Sequence, residues 1–171
     1  MGDPKGWRYK AMETKSKYAR RIRLKDFSYR GAYRYFITIC CLDRKDCFRD
    51  GGLVTKVLEV LKATAEQEDF YVWAYCFMPD HLHLLIEGKQ EGADMRRFVS
   101  LFKQKAGFQF RKDWSMKLWE ANYYEHILRK EEETLQVVRY IFENPVRKKI
   151  VEDYTSYPYL GSFQIDDIRM M

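Results

Sequence analysis

The chain contains short runs of aromatic and β-branched residues, separated by longer segments whose apolar positions recur at helical spacing. The short runs are typical of strands, and they cover residues 33–42, 70–78, 81–88 and 123–129. The longer segments predict helices, and they cover residues 53–67, 92–111 and 131–144. Pro79 and Asp80 separate the second and third strands, so these two strands are predicted to form a hairpin.

The order of the predicted elements is strand, helix, hairpin, helix, strand, helix. This order follows neither regular βαβ units nor an all-β pattern, and it therefore indicates an α+β fold. The 171 residues are enough for one domain with a sizeable core. The residues after Val151 include the stretch SYPYLGS and are expected to form a loop-like tail.

The positive charge is concentrated at the beginning of the chain. Residues 1–30 hold ten lysines and arginines against three acids, whereas the remaining residues hold 21 basic and 22 acidic side chains. Aromatic residues interrupt this arm, as is common in segments that follow nucleic-acid phosphates; the alternative is a solvated extension. The outer positions of the predicted helix 92–111 are also basic. The candidate phosphate contacts are Arg20, Arg21, Arg23, Arg96, Arg97, Lys103 and Lys105.

No apolar run approaches the roughly 18 residues that a membrane span requires, and the polar, basic first residues do not follow the signal-peptide pattern. We therefore expect a cytoplasmic protein without a membrane partner. The four cysteines show no C-x-x-C spacing, which favours reduced thiols over a zinc site or a disulfide framework.

Two of the three histidines, His81 and His83, stand on the third predicted strand with only Leu82 between them. Residues i and i+2 of a strand point to the same face, about 6.5 to 7 Å apart at the backbone. Two imidazoles in this arrangement can hold one divalent ion, each through one ring nitrogen. The alternative is a pair of surface histidines on a half-exposed strand. Asp80, just before the pair, is predicted to be a turn residue.

The last predicted helix carries Tyr140 and Asn144 four residues apart, with Gln136 one turn before Tyr140. Residues at this spacing share a helical face. A tyrosine hydroxyl has a pKa of about 10 and is a poor nucleophile unless a cation is close. Beside a divalent ion it could attack a phosphodiester and form a phosphotyrosine. The alternative is a structural tyrosine, since the chain has 13 tyrosines.

Five stretches between residues 30 and 155 resemble, in the same order, those of the IS200-like transposases. They are YFITICCLDR, AYCFMPDHLHLLIEG, RRFVSLFKQK, LWEANYYEHILRKEEE and VVRYIFENPVRKKIV. The combination of MPDHLHLL with the YIxxNP pattern is the specific part of the resemblance. Within the family, which belongs to the HUH single-strand nucleases, asparagine at position 144 favours the REP-associated tyrosine transposases.

The resemblance implies a ferredoxin-like α+β sandwich, with an antiparallel sheet and helices packed on one face. Together with the charge distribution it divides the chain into three predicted segments: a basic arm over 1–29, the transposase domain over 30–155 and a tail over 156–171. The protein would be a monomer or a homodimer, associated with the nucleoid of a prokaryotic cell.

By the same resemblance, His81 and His83 would bind Mg²⁺ or Mn²⁺, Asn144 would be a third ligand, and Tyr140 would be the nucleophile. The enzyme would nick and rejoin single-stranded DNA near hairpins through a 5′-phosphotyrosine. One alternative is a catalytically idle module of the same fold that binds a DNA or RNA hairpin. Another is a metal-dependent hydrolase that uses water and does not need Tyr140.

Three further residues are candidate accessories of the site. Glu125 and His126 lie on the predicted fourth strand, where the family often has an acid and a histidine-like residue. Alternation along a strand sends neighbours to opposite faces, so at most one of the two can face the metal. Gln136 shares the helical face of Tyr140.

Overall fold

The central strands of the fold carry consecutive apolar residues, as in the stretches FITIC and LLI, so both faces of their sheet need cover. The computed structural model describes residues 27–128 and 134–170. Within them, five strands form an antiparallel sheet in the order β4-β1-β3-β2-β5. The strands are β1 (Arg34–Cys40), β2 (Phe70–Met78), β3 (His81–Gly88), β4 (Tyr124–Ile127) and β5 (Leu160–Gly161). The predicted hairpin of β2 and β3 is confirmed to the residue.

Four α-helices accompany the sheet in the described part of the chain: α1 (Gly51–Gln67), α2 (Met95–Trp114), α3 (Thr134–Phe142) and α4 (Asn144–Arg147). Side-chain caps fix two of their starts. Asp50 accepts from the backbone N–H of Gly52 at 2.8 Å before α1, and Asp94 accepts from that of Arg97 at 3.1 Å before α2. The helix predicted from residue 92 therefore begins at Met95. No helix among the described residues is both long and apolar enough to cross a membrane.

Alternate residues of the strands build two separate cores. Leu82, Leu84 and Ile86 point to the face that α1 and α2 cover. Phe36 and Leu85 point to the other face, which α3 covers with a second apolar set: Val137, Val138, Ile141 and Phe142. The predicted α+β antiparallel fold is confirmed, with one correction. The helices do not all pack on one face, because the apolar positions on both sides of the central strands each require a covering layer.

The predicted segment boundaries at 29 and 156 cut through packed structure. Residues 1–26, most of the predicted arm, lie outside the described residues. Tyr29, at its end, is only 2% exposed and belongs to the first core. The predicted tail over 156–171 contributes β5, which pairs with β2, and the hydroxyl of Tyr157 donates to the carbonyl of Phe77 at 2.7 Å. The tail is therefore part of the domain, held by sheet hydrogen bonds and by burial.

Replacing Gly88 at the end of β3 with alanine is expected to destabilise the fold. A Cβ at this position would lie 2.2 Å from the carbonyl oxygen of Gly31, a backbone atom that cannot rotate away. Overpacking of this kind costs about 1–3 kcal/mol or more, which chemical denaturation would measure. Gly92→Ala is the matched control because a Cβ there would meet nothing within 4 Å; equal stability of the two variants would contradict the steric account.

Candidate functional site

His81 and His83 face each other on the side of the sheet that α3 covers. Their cross-strand partners on β1 are Cys40 and Thr38. The two rings have centroids 4.5 Å apart and planes at 82°, and the two Nε2 atoms are 3.0 Å apart. At this distance one protonated nitrogen can donate to the other. The shared face follows from the two-residue period of the strand, as the sequence predicts.

Asp80 fixes the outer nitrogen of His81, which is Nδ1, the ring nitrogen that does not face His83. The Nδ1 atom of His81 is 2.5 Å from Oδ1 of Asp80, and the other carboxylate oxygen is 2.7 Å from Nε of Arg44. Partial burial acts to raise the pKa of Asp80, but the hydrogen bond and charge of His81 and the charge of Arg44 outweigh it and hold this pKa below its usual value. An ionised carboxylate only accepts, so Nδ1 of His81 carries a hydrogen, and a metal ion could be bound only by Nε2. Asp80 occupies the turn, as predicted, and also orients a histidine.

The outer nitrogen of His83 contacts a hydroxyl. Nδ1 of His83 is 2.8 Å from Oγ1 of Thr38, which can donate to the ring or accept from it and so suits either tautomer. Burial lowers the pKa of His83 well below its usual range, and the charges of His81 and of nearby basic residues lower it further. The ring is therefore neutral near pH 7, which is the form that binds metal ions.

Phe36 joins the histidine pair to the predicted nucleophile. Its fully buried ring stacks on His83, with centroids 5.4 Å apart, and also meets the ring of Tyr140 edge-on at 6.0 Å. Tyr140 lies on α3, which packs on the histidine face of the sheet, and it is half-buried. The ring of Phe36 therefore lies between Tyr140 and His83 and contacts both.

Asn144 lies just beyond the end of α3 and is only 3% exposed. Its Nδ2 atom donates to the backbone carbonyls of Tyr140 at 3.2 Å and Ile141 at 3.1 Å. These carbonyls belong to the last turn, where a helix leaves acceptors without backbone donors. Because the amide nitrogen is used in this way, the side-chain oxygen remains as the ligand-type atom. Gln136, two turns earlier, is exposed.

The fourth strand separates its two candidate residues, as alternation requires. His126 is the cross-strand partner of Phe36 and therefore points to the histidine face. Glu125 pairs with Ile37 and points to the opposite face, where its carboxylate accepts from the hydroxyl of Tyr29 at 3.2 Å. The structure thus brings His126, but not Glu125, to the side of the sheet that carries the metal-site candidates.

The four basic residues predicted on α2 lie on the face opposite the histidine pair. The guanidinium of Arg97 pairs with Glu68 at 2.8 Å, and that of Arg96 lies 4.3 Å from the ring centroid of Tyr29. The ammonium groups of Lys103 and Lys105 donate to oxygens of Glu120, Ala121 and Gln67. These cations contact neighbouring elements, and the structure does not bring them to the site. The other predicted contacts, Arg20, Arg21 and Arg23, lie outside the described residues.

Other cations surround the site. Arg44, Arg147 and Lys148 each lie close enough to lower the pKa of His83 by their charge. Arg44 follows β1, and the other two lie at the end of α4 and just after it. The basic run VRKK after Asn144 was the sequence signal for two of them, but it marks a position on the site only once the fold of α3 and α4 is known.

The candidate metal donors are the imidazoles of His81 and His83 and the side-chain oxygen of Asn144. Among the described residues, no group of three or more His, Cys, Asp or Glu side chains could hold a metal. Two imidazoles and an amide oxygen are a smaller set, and none of these ligands carries a negative charge. Nitrogens bound at about 2.1 Å and at right angles to one octahedral ion stand roughly 3 Å apart. The 3.0 Å separation of the Nε2 atoms fits this requirement.

Comparison with known sequences identifies relatives over most of the chain. The family model described as "Transposase IS200 like" matches residues 29–144. An uncharacterized protein of Haemophilus influenzae is 30% identical over a match that covers 74% of this chain and 88% of the relative. A second H. influenzae protein, assigned as a REP-associated tyrosine transposase, is 26% identical, and the match covers 83% of this chain and 85% of the relative.

Two solved structures share the fold. A REP-associated tyrosine transposase bound to a REP hairpin has a TM-score of 0.66 at 18% identity, over 82% of each chain. A protein from Deinococcus radiodurans that is assigned as a transposase has a TM-score of 0.50 at 19% identity, over 71% of this chain and 95% of the other. Both likenesses concern the fold, and the first agrees with the five-stranded α+β sheet described above.

Proposed function

Because the chain belongs to the IS200-like transposase family, we propose that it nicks and rejoins single-stranded DNA through a covalent bond to Tyr140. The observation that carries this proposal is that His83 and Tyr140 both contact the ring of Phe36 on one face of the sheet, with Nε2 of His81 3.0 Å from that of His83.

His81, His83 and Asn144 would hold the divalent ion, Mg²⁺ or Mn²⁺. Such an ion supplies Lewis-acid polarisation of a phosphodiester oxygen. Neighbouring side chains contact the Nδ1 atoms of both imidazoles and leave the two Nε2 atoms facing each other. Asp80 fixes the ring of His81, Thr38 orients the ring of His83, and burial lowers the pKa of His83.

The hydroxyl of Tyr140 would attack the phosphorus of the DNA backbone. The phenolic oxygen gives up its proton and bonds to phosphorus, the bond from phosphorus to the 3′ oxygen breaks, and the leaving 3′ oxygen takes up a proton. The products are a 5′-phosphotyrosine and a strand with a 3′ hydroxyl. Because the phosphodiester energy stays in the new bond, a 3′ hydroxyl can attack it in turn and rejoin the strand without ATP.

The DNA would reach the histidine face, where Arg44 and Lys148 supply positive charge. Cations that contact a single strand bind its phosphates without reading the sequence. The related transposase that was solved with a REP hairpin supports a hairpin as the substrate. The experiment is incubation with a hairpin oligonucleotide carrying single-stranded flanks, with Mn²⁺ or with EDTA. The proposal requires a covalent protein–DNA species on a denaturing gel with Mn²⁺ only.

Thr38→Val is expected to weaken Mn²⁺ binding about 10–100-fold. The substitution keeps the shape of the side chain and removes the hydroxyl that orients His83, and loss of such a supporting hydrogen bond typically costs this much affinity. Isothermal titration with Mn²⁺ measures it. Thr38→Ser keeps the hydroxyl and is the matched control. Equal Mn²⁺ affinity in the valine and serine variants would show that His83 does not need this partner.

A further inference from the structure

Arg147 contacts both the ring and the backbone of Tyr140, and the proposed reaction assigns no role to these contacts. Its guanidinium carbon lies 4.1 Å from the centroid of the Tyr140 ring. Its Nη2 atom donates to the backbone carbonyl of the same tyrosine at 2.7 Å. Its Nη1 atom is 3.5 Å from a carboxylate oxygen of Glu143, a long and exposed pair. One side chain thus holds both the ring and the backbone of the predicted nucleophile.

Arg147 contacts Tyr140 across the junction between α3 and α4. Arg147 follows Tyr140 by seven residues, which in one continuous helix would place the two residues about 10 Å apart along the axis. Here α3 ends at Phe142 and α4 begins at Asn144, with Pro145 in its first turn. The guanidinium of Arg147 reaches back across this junction to the tyrosine ring.

The charge of Arg147 also reaches the sheet. It contributes to lowering the pKa of His83 on β3 and acts in the same direction on the Cys76 thiol on β2. Both residues belong to the histidine face, since Cys76 is the cross-strand partner of His83. A guanidinium stays protonated at any physiological pH, so the charge that Arg147 holds beside the Tyr140 ring is permanent.

We propose that Arg147 is the positioning residue for Tyr140: it clamps the tyrosine ring and backbone and holds a permanent positive charge beside the attacking side chain. This inference rests on the proposed function. A clamp of this kind acts on the rate of attack and not on DNA binding, because a misplacement of the nucleophile by about 1 Å can cost roughly 100-fold in rate.

The test compares Arg147→Gln, Arg147→Lys and Arg139→Gln. Arg139→Gln removes one exposed cation from α3 and is the control for charge alone. DNA affinity is measured in EDTA by fluorescence anisotropy, and the rate of adduct formation is measured in single turnover at saturating hairpin DNA with Mn²⁺. Thermal melting checks that each variant is folded.

We expect Arg147→Gln to form the adduct about 10–100-fold more slowly at saturating DNA, with a DNA affinity close to that of Arg139→Gln. Arg147→Lys should regain only part of the rate, because an ammonium has no planar fork to contact both ring and carbonyl. If Arg147→Gln does not fold, the lysine variant decides, and a wild-type rate in it overturns the inference.

An unchanged saturating rate in Arg147→Gln would overturn the inference, whether or not its DNA affinity falls, since Arg147 would then be a phosphate contact or a surface residue. A wild-type protein that forms no Tyr140 adduct would remove the proposed function and this inference together. A wild-type adduct that Arg147→Gln forms equally fast would remove the inference alone.

Discussion

Replacing His81 and His83 together with alanine is expected to abolish Mn²⁺-dependent cleavage of single-stranded DNA and to leave the fold intact. The two inner nitrogens, 3.0 Å apart, are the donors that best fit one ion. Without them, the amide of Asn144 remains, and a single neutral oxygen ligand is too weak to hold a divalent ion. The sheet itself depends on the strands' backbone hydrogen bonds and on the apolar neighbours of the pair, which the substitution leaves in place.

The measurements for the double variant are Mn²⁺ titration, cleavage of a hairpin oligonucleotide and thermal melting. Removal of two side chains from a largely buried position should cost about 1–3 kcal/mol, so melting must still be cooperative. His126→Ala is the matched control. This histidine lies on the same face, but its partner on β1 is Phe36, two residues before Thr38, the partner of His83. It should keep most of the Mn²⁺ affinity. Cleavage at the wild-type rate in the double variant would exclude the histidines as metal ligands.

Replacing Tyr140 with phenylalanine is expected to abolish both nicking and the covalent adduct, with near-normal melting temperature and DNA affinity. Phenylalanine keeps the ring against Phe36 and Arg147 and keeps the apolar packing of α3. The lost hydroxyl would cost at most the 0.5–1.5 kcal/mol of a typical hydrogen bond. Attack on phosphorus needs the hydroxyl oxygen, and phenylalanine has no atom that can replace it. A loss of activity without a loss of stability therefore identifies a nucleophile.

The neighbouring tyrosines supply the control for this variant. Tyr124 pairs with Thr38, so it points to the histidine face, and it is 42% exposed. The hydroxyl of Tyr123 instead contacts the sulfur of Met95 on α2, at 3.9 Å. Tyr124→Phe should still form the adduct. If Tyr140→Phe forms an adduct and Tyr124→Phe does not, Tyr124 is the nucleophile; cleavage by Tyr140→Phe without any adduct would indicate a hydrolase that uses water.

The parts of the site that follow from local periodicity were accessible from the sequence. The two-residue period of β3 places His81 and His83 together, and the helical period relates Tyr140 to Asn144. The same alternation predicts that Glu125 and His126 separate. The roles of Asp80 and Thr38 were not accessible, because they depend on the geometry of the turn and on the register between β1 and β3, which connects residues 45 positions apart.

The basic residues show that charge alone does not locate a basic surface relative to the candidate site. The sequence places cations on the outer side of α2, but it does not reveal that Arg97 pairs with Glu68 or that the helix lies across the sheet from the histidines. The segment 156–171 shows a similar limit. A two-residue strand has no periodicity to detect. Its pairing joins Gly161 to Tyr75, 86 positions earlier in the chain.

The central claim is that Tyr140 becomes covalently bound to DNA. The measurement that tests it most directly is mass spectrometry of the wild-type protein after incubation with a hairpin oligonucleotide and Mn²⁺, followed by nuclease and protease digestion. The account predicts a peptide containing Tyr140 that carries a 5′-linked nucleotide phosphate, formed with Mn²⁺ and absent with EDTA. A nicked oligonucleotide with no modified tyrosine, or with the modification on another tyrosine, would contradict it.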